Sequence, residues 1–459
     1  MSSQKKMPAM MAVLAILLCA GLLSAGLKWQ PERFGAEPVG APVFSAGSVY
    51  MMSGDGRLNI YELAQGTPQR PYDLNGPTHV APIVAGTLLV IGTDEGHIEA
   101  MDREQIRQMW TYPAAPPVKT GPFTTGNARS TGSSGEEAAA NPANEVLELR
   151  SLAYGGNSVY AVYANKTVAL DSANGHVQNV WTLNDAGAAA ADSSRIYVMD
   201  GGTLKAFSAS GGAGWTLQTG PLYLTSPAVD ESAGKVYVAT TNGYVMSIQA
   251  DTGVVAWQYP LNGWPMATPF PSGDEVVVGS NDGRLRALDR DTGRLRWTAD
   301  LGAPIRGGIA EVARGGAHVL LVPTQGPSLA AVSALDGTVL WNYPLPDWPS
   351  SPAVSSDGRF AAVATRDRQL FVVILSPMCT IDSPRSRQPI APFTQLDGRA
   401  WAWDGVSRVS LSVQGRAQDV VVNQSGPFHT MLDLTGVQQG SVDIRCLADG
   451  RDGSSETDN

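Results

Sequence analysis

Apolar and polar residues alternate along this chain in short runs, and the runs recur as one phrase about every 40 residues. The phrase is a short apolar strand, an Asx-Gly turn, a second strand, a Gly-containing turn and a tryptophan. Its clearest copies are Lys235–Trp257 (KVYVATTNGYVMSIQADTGVVAW) and Glu275–Trp297 (EVVVGSNDGRLRALDRDTGRLRW). Weaker copies end at Trp110, Trp181, Trp215 and Trp341, and two outer copies, SVYMMSGDGRLNIYELAQGTPQRPY and GRFAAVATRDRQLFVVIL, lack the tryptophan. The chain therefore holds eight units.

Period-2 alternation punctuated by Asp55-Gly56, Asn242-Gly243 and Asp282-Gly283 predicts β-hairpins, because these dipeptides accept the positive φ of tight turns. A further apolar stretch precedes each hairpin, as at Ser226-Pro227 and Ser351-Pro352, and adds a strand. Four strands per unit make a propeller blade. The pattern thus predicts an all-β chain whose residues 38–375 form an eight-bladed β-propeller.

Three segments break the period. Lys5 and Lys6 precede the uncharged stretch Met7–Leu27, a basic flank and apolar run that direct export, so the propeller is expected outside the cytoplasm, in the periplasm or at the cell surface. Residues 1–28 read either as a hydrophobic helix retained as an inner-membrane anchor, since about 20 apolar residues span a bilayer, or as a signal cleaved near Ser24-Ala25-Gly26. Cys19 follows Leu18 and not the small residue that a lipid-attachment motif requires, so it reads as an apolar cysteine. Residues 113–144, rich in Pro, Gly, Ser, Thr and Ala, read as a disordered loop inserted in the propeller.

After Leu375 the 40-residue period gives way to another β pattern. Residues 376–448 are expected to form a small β-sandwich, and residues 449–459 (DGRDGSSETDN) a disordered, solvated tail. Cys379 and Cys446 bracket the module. In an exported protein such a pair is expected as a disulfide contributing roughly 4 kcal/mol on the chain-entropy model, with free thiols or an intermolecular bridge as the alternatives.

Composition narrows the function classes. Gly 50 and Pro 31 in 459 residues suit a turn-rich β protein. The formal net charge of -10, without clustered Lys and Arg, argues against a nucleic-acid surface. His79, His97, His176, His318 and His429 are scattered without paired spacing, so no metal site or nucleophile-base pair is expected.

The stretch Val278–Trp297 (VGSNDGRLRALDRDTGRLRW) closely resembles the repeat of the quinoprotein, or PQQ-like, β-propeller family, and the resemblance extends loosely from Pro42 to Leu375. Catalytic members of that family hold a quinone and calcium and usually carry adjacent cysteines; here no cysteine lies between Cys19 and Cys379. The recurrent Asp171, Asp289 and Asp291 read as turn caps, and the recurrent tryptophans as packing between blades. The resemblance therefore implies a non-catalytic branch with no cofactor. The region RAWAWDGVSRVSLSV with the late SVDIRC is similar to bacterial immunoglobulin-like modules, which carry no chemistry of their own.

What does not recur in every blade is left for function. Aromatics stand four or five positions before the Ser/Thr-Pro that opens an inner strand, namely Tyr223, Trp264 and Trp348, and equivalent loops carry Arg150 and Arg306. Aromatic and arginine side chains are the types enriched at interface hot spots, so these five are the candidate partner-binding residues. The first reading is a non-enzymatic scaffold, or protein-binding subunit of a cell-envelope complex. It resembles the propeller lipoprotein of the outer-membrane β-barrel assembly machinery, while departing from it in the missing lipid-attachment motif and the extra C-terminal module. The alternative is a quinone-dependent oxidoreductase or accessory subunit of a redox complex.

Overall fold

The alternating runs fold into antiparallel ladders that close at each Asx-Gly turn. In blade six the four strands are Phe270–Ser272, Glu275–Gly279, Arg284–Asp289 and Leu295–Asp300, with Val278 opposite Arg286 and Ala287 opposite Trp297. Eight such four-stranded sheets build an eight-bladed β-propeller, and no helix occurs among the described residues. The computed structural model describes residue 28 and residues 32–45, 47–74, 76–113, 148–221, 225–314 and 317–375, and from Met378 onward the strand backbones with the side chains of Val409 and Leu411. The N-terminal apolar stretch, most of the inserted loop and Tyr223 lie outside these residues.

Two compact units divide the chain: residues 73–218 carry blades two to four, and the remainder carries blade one, blades five to eight and the C-terminal strands. In each unit the second and third strands of a blade are buried on both faces, which is why they read as nearly continuous apolar runs; Val276, Val277 and Val278 are all fully buried. Fourth strands keep one face in water and alternate, as in Leu295–Asp300.

Neighbouring blades are joined by a repeated latch. The indole N–H of Trp257 donates to the carbonyl of Arg290 at 2.9 Å, and that of Trp297 donates to Ala334 O at 3.0 Å. In the other unit Trp110 reaches Ser172 O and Trp181 reaches Gly211 O in the same manner. The Trp110, Trp257 and Trp297 rings also lie against a turn glycine of the next blade. A Cβ on Gly293 would sit 2.6 Å from the Trp257 ring, and one on Gly337 would sit 2.5 Å from that of Trp297, at φ values of 68° and 75°. The recurrent Gly and Trp are thus two halves of one contact, as their periodicity predicts. Trp215 differs in being only half-buried, packed against Tyr197.

Two of the three recurrent aspartates are caps, whereas Asp291 turns outward and binds the Lys235 ammonium at 2.7 Å. Asp289 accepts the backbone N–H groups of Asp291 and Thr292, and Arg296 binds its other oxygen at 2.6 Å. The Arg296 and Thr292 hydrogen bonds hold its carboxyl well below the usual range. Asp171 accepts Ala173 N–H in the equivalent turn.

Two features were not visible in the pattern. Blade eight takes its fourth strand from Glu32–Arg33, ahead of the first repeat, and Phe34 follows into a core shared with Val49, Met51 and Leu370. The acidic tail, whose composition predicts a solvated coil, supplies the strand Ser455–Asp458 paired with Cys446–Asp449. A sheet edge offers main-chain donors and acceptors to any extended segment, so this pairing needs no apolar side chains. The other C-terminal strands form a three-stranded sheet (Met378–Ser383, Phe393–Trp401, Gly426–Asp433) and a four-stranded one that includes Val406–Val413 and Ile444–Gly450. Cys379 and Cys446 lie on strands of these two sheets, and their side chains fall outside the described residues.

Candidate functional site

In blades one and five to eight, the loop entering each first strand meets the turn between the second and third strands. The meeting point is one backbone hydrogen bond, repeated blade by blade. Asn281 N–H donates to Trp264 O at 3.0 Å, Arg366 N–H to Trp348 O at 2.9 Å, Gln325 N–H to Pro304 O at 2.8 Å, Thr241 N–H to Pro221 O at 3.0 Å and Gly54 N–H to Glu37 O at 2.9 Å. Trp264 and Trp348 are therefore structural equivalents. Pro221, two positions before Tyr223, takes the same place in blade five, and Pro304 takes it in blade seven, two before Arg306.

Both tryptophans face solvent. Trp264 is 65% exposed and Trp348 39%. The Trp264 backbone N–H donates to the Asn281 side chain at 2.8 Å, and Pro265 bridges Ser280, so the loop is held from both sides while the indole stays free. The Arg366 guanidinium lies 5.5 Å over the Trp348 ring and 3.5 Å from Glu37, which fixes the ring against the turn of blade eight. Arg306 is exposed and has no ion-pair partner among the described residues. Trp264, Arg306 and Trp348 thus stand on equivalent loops of three consecutive blades.

Arg150 is committed elsewhere. It lies in the other unit, where its guanidinium donates to Asp185 at 2.6 Å and to Ala186 O at 3.0 Å, pinning the first strand of blade four.

Arg366 and Arg368, which no repeated position marks in the sequence, belong to the same surface. Arg368 stands where blades one, five and six carry Gly56, Gly243 and Gly283, and it keeps their left-handed backbone at φ 69°. A non-glycine residue there costs about 1–2 kcal/mol. Its guanidinium donates to Gly35 O at 3.0 Å. The broken Asp-Gly rule in TRDRQ was the available signal.

The turn that holds the Trp264 loop carries a half-buried ion pair. Arg286, 4% exposed, binds Asp282 at 2.5 Å, and Ser280 donates to the same carboxylate. Burial pushes the Asp282 carboxyl up, but the hydrogen bonds from Arg286, Ser280 and the Arg284 backbone outweigh it and hold the group at about 2.

At the other end of blades six and seven, a cleft of about 740 Å³ is lined by Glu275, Arg296, His318 and Asp336. Arg296 there is paired with Asp289 and Glu275, and the His318 ring bonds Glu311. No group of three His, Cys, Asp or Glu that could hold a metal occurs among the described residues. What remains chemically is a surface of exposed indoles and guanidinium groups on rigid turns, suited to binding another macromolecule.

Residues 24–197 and 200–391 match the family model described as outer membrane protein assembly factor BamB. The chain belongs to the BamB family. Among curated BamB proteins, that of Yersinia pestis is 30% identical over 121 residues, 26% of this chain and 30% of the relative. That of Moranella endobia is 28% identical over 119 residues, 25% of this chain and 30% of the relative. The chain thus spans about a third of the length of the curated relatives it matches. Solved structures share the fold: BamB from Moraxella catarrhalis has a TM-score of 0.53 at 15% identity, covering 76% of this chain and 96% of that one. The computationally designed Ika8 protein reaches 0.60 at 12% identity, covering 76% and 99%.

Proposed function

We propose that this BamB-family chain is a non-enzymatic, extracytoplasmic scaffold that serves outer-membrane protein assembly as a subunit of an envelope complex, binding its partners through the Trp264, Arg306 and Trp348 loops. The observation that carries the reading is the family match across both halves of the propeller. The relatives' printed role is that of an assembly factor, which favours a scaffold over a quinone-dependent oxidoreductase. Residues 7–27 serve as the membrane anchor in place of a lipid. The C-terminal sheets pack as an immunoglobulin-like sandwich that acts as spacer or second contact.

In a strain deleted for this chain, outer-membrane β-barrel proteins are expected to fall in abundance. Wild type restores them and the Trp264→Ala/Trp348→Ala double variant does not. Equal restoration by the two would overturn the assignment of the face.

The sandwich reading includes a Cys379–Cys446 disulfide. Cys379→Ser is expected to move the band of the unreduced full chain on a denaturing gel to its reduced position, and to lower stability by roughly 2–4 kcal/mol. An unchanged band means that the thiols are free.

A further inference from the structure

The N-terminal segment is stitched into blade eight in one direction. Lys28 N–H donates to Val372 O at 2.7 Å, Glu32 and Arg33 pair with Leu370 and Gln369, and Phe34 N–H donates to Arg368 O at 3.1 Å. The segment therefore runs antiparallel to the strand Gln369–Ile374 and leaves at the Ile374 end. The Lys28 ammonium lies 5.4 Å over the ring of Phe360, the residue paired with Ile374.

This end is opposite to the candidate docking face. The strand Phe360–Thr365 has Arg359 and the Asp357-Gly358 turn before it, and Arg366, which touches Trp348, after it. Six residues of strand separate the two ends, about 20 Å.

No tether separates this strand from the apolar stretch. Met7–Leu27 ends at the residue before Lys28, and Trp29 comes next. A lysine and a tryptophan are the types that accumulate where a membrane segment meets water.

We infer that the anchor clamps the Lys28–Arg359 corner of blade eight to the bilayer surface and presents the Trp264 and Trp348 loops away from the lipid, toward the aqueous compartment. The inference rests on the reading of residues 7–27 as a retained anchor and adds the direction in which the protein stands. The clamp is covalent and not adsorptive. A covalent attachment does not depend on screened surface charge, so the orientation is expected to survive high salt.

The full chain, reconstituted in phosphatidylcholine vesicles bearing headgroup nitroxides, tests this with an environment-sensitive fluorescent amino acid placed at Arg359 or at Arg366. Quenching several-fold stronger at 359 than at 366, unchanged by salt, is the expected result. Equal quenching, or stronger quenching at 366, in protein that stays with the vesicles in alkaline carbonate overturns the orientation while leaving the anchor standing. A mature N-terminus at residue 26 or beyond by mass spectrometry, or release by carbonate, overturns the anchor itself and the orientation with it.

Discussion

Trp297→Ala is expected to cost about 3–5 kcal/mol, the range for emptying a buried aromatic site. The indole is 8% exposed and fills the space between blades six and seven, and its N–H serves both Glu275, at 3.0 Å, and Ala334 O. Removing it opens a cavity and orphans two acceptors. The partner glycine gives the matching experiment. Gly337→Ala meets a left-handed backbone and a clash with the Trp297 ring, roughly 3 kcal/mol together. If ring and glycine form one latch, their effects are not additive, because without the ring only the backbone strain remains. Urea unfolding of the two single variants and the double variant measures this coupling, and strictly additive losses would contradict the latch. Trp348→Ala, at an exposed site, is expected to change stability by less than about 1 kcal/mol.

Arg286→Ala is expected to cost roughly 2 kcal/mol, because it empties a buried site and leaves the partly exposed Asp282 carboxylate without its strongest partner. Asp282→Asn should cost about 1 kcal/mol at neutral pH, since water reaches Asp282 and screens part of what a fall from 3.8 to about 2 represents. The folded carboxyl titrates below the unfolded one, so the contribution is complete above about pH 5, shrinks as pH falls below about 4 and is lost as pH falls through about 2. Wild type and Asp282→Asn should therefore converge in stability across that window. Replacing both partners, Asp282→Asn with Arg286→Met, should cost less than Arg286→Ala alone. A gap between wild type and Asp282→Asn that stays constant down to pH 2 would show that the pair does not act as described.

These two cases mark what the sequence made legible. The Trp297 and Gly337 contact has counterparts in Trp257 with Gly293 and Trp110 with Gly175, and a feature repeated from blade to blade is readable as architecture from one chain. The fourth strand of blade eight was not readable, since Glu32–Arg33 is two residues long and pairs with Leu370 and Gln369 at the far end of the propeller. No local pattern encodes so distant a pairing. The docking face was half legible. Trp264 and Trp348 are equivalent because each bonds the turn of its own blade, whereas counting back from Ser/Thr-Pro made Tyr223 and Arg306 their counterparts; the hydrogen bonds place Pro221 and Pro304 there. Loop length varies while the bond to the turn does not. Arg150, placed in the same class, spends its charge on Asp185 and Ala186.

The exposed indoles of blades six and eight are proposed to bind a partner in the outer-membrane protein assembly machinery. The most direct measurement is quantitative co-purification of outer-membrane assembly subunits from gently solubilised envelopes, with the full-length wild type compared against Trp264→Ala/Trp348→Ala at matched thermal stability. Hot-spot tryptophans are each worth about 2 kcal/mol or more, so recovery with the double variant is predicted to fall by at least about 100-fold. Undiminished recovery with the folded double variant would contradict the claim.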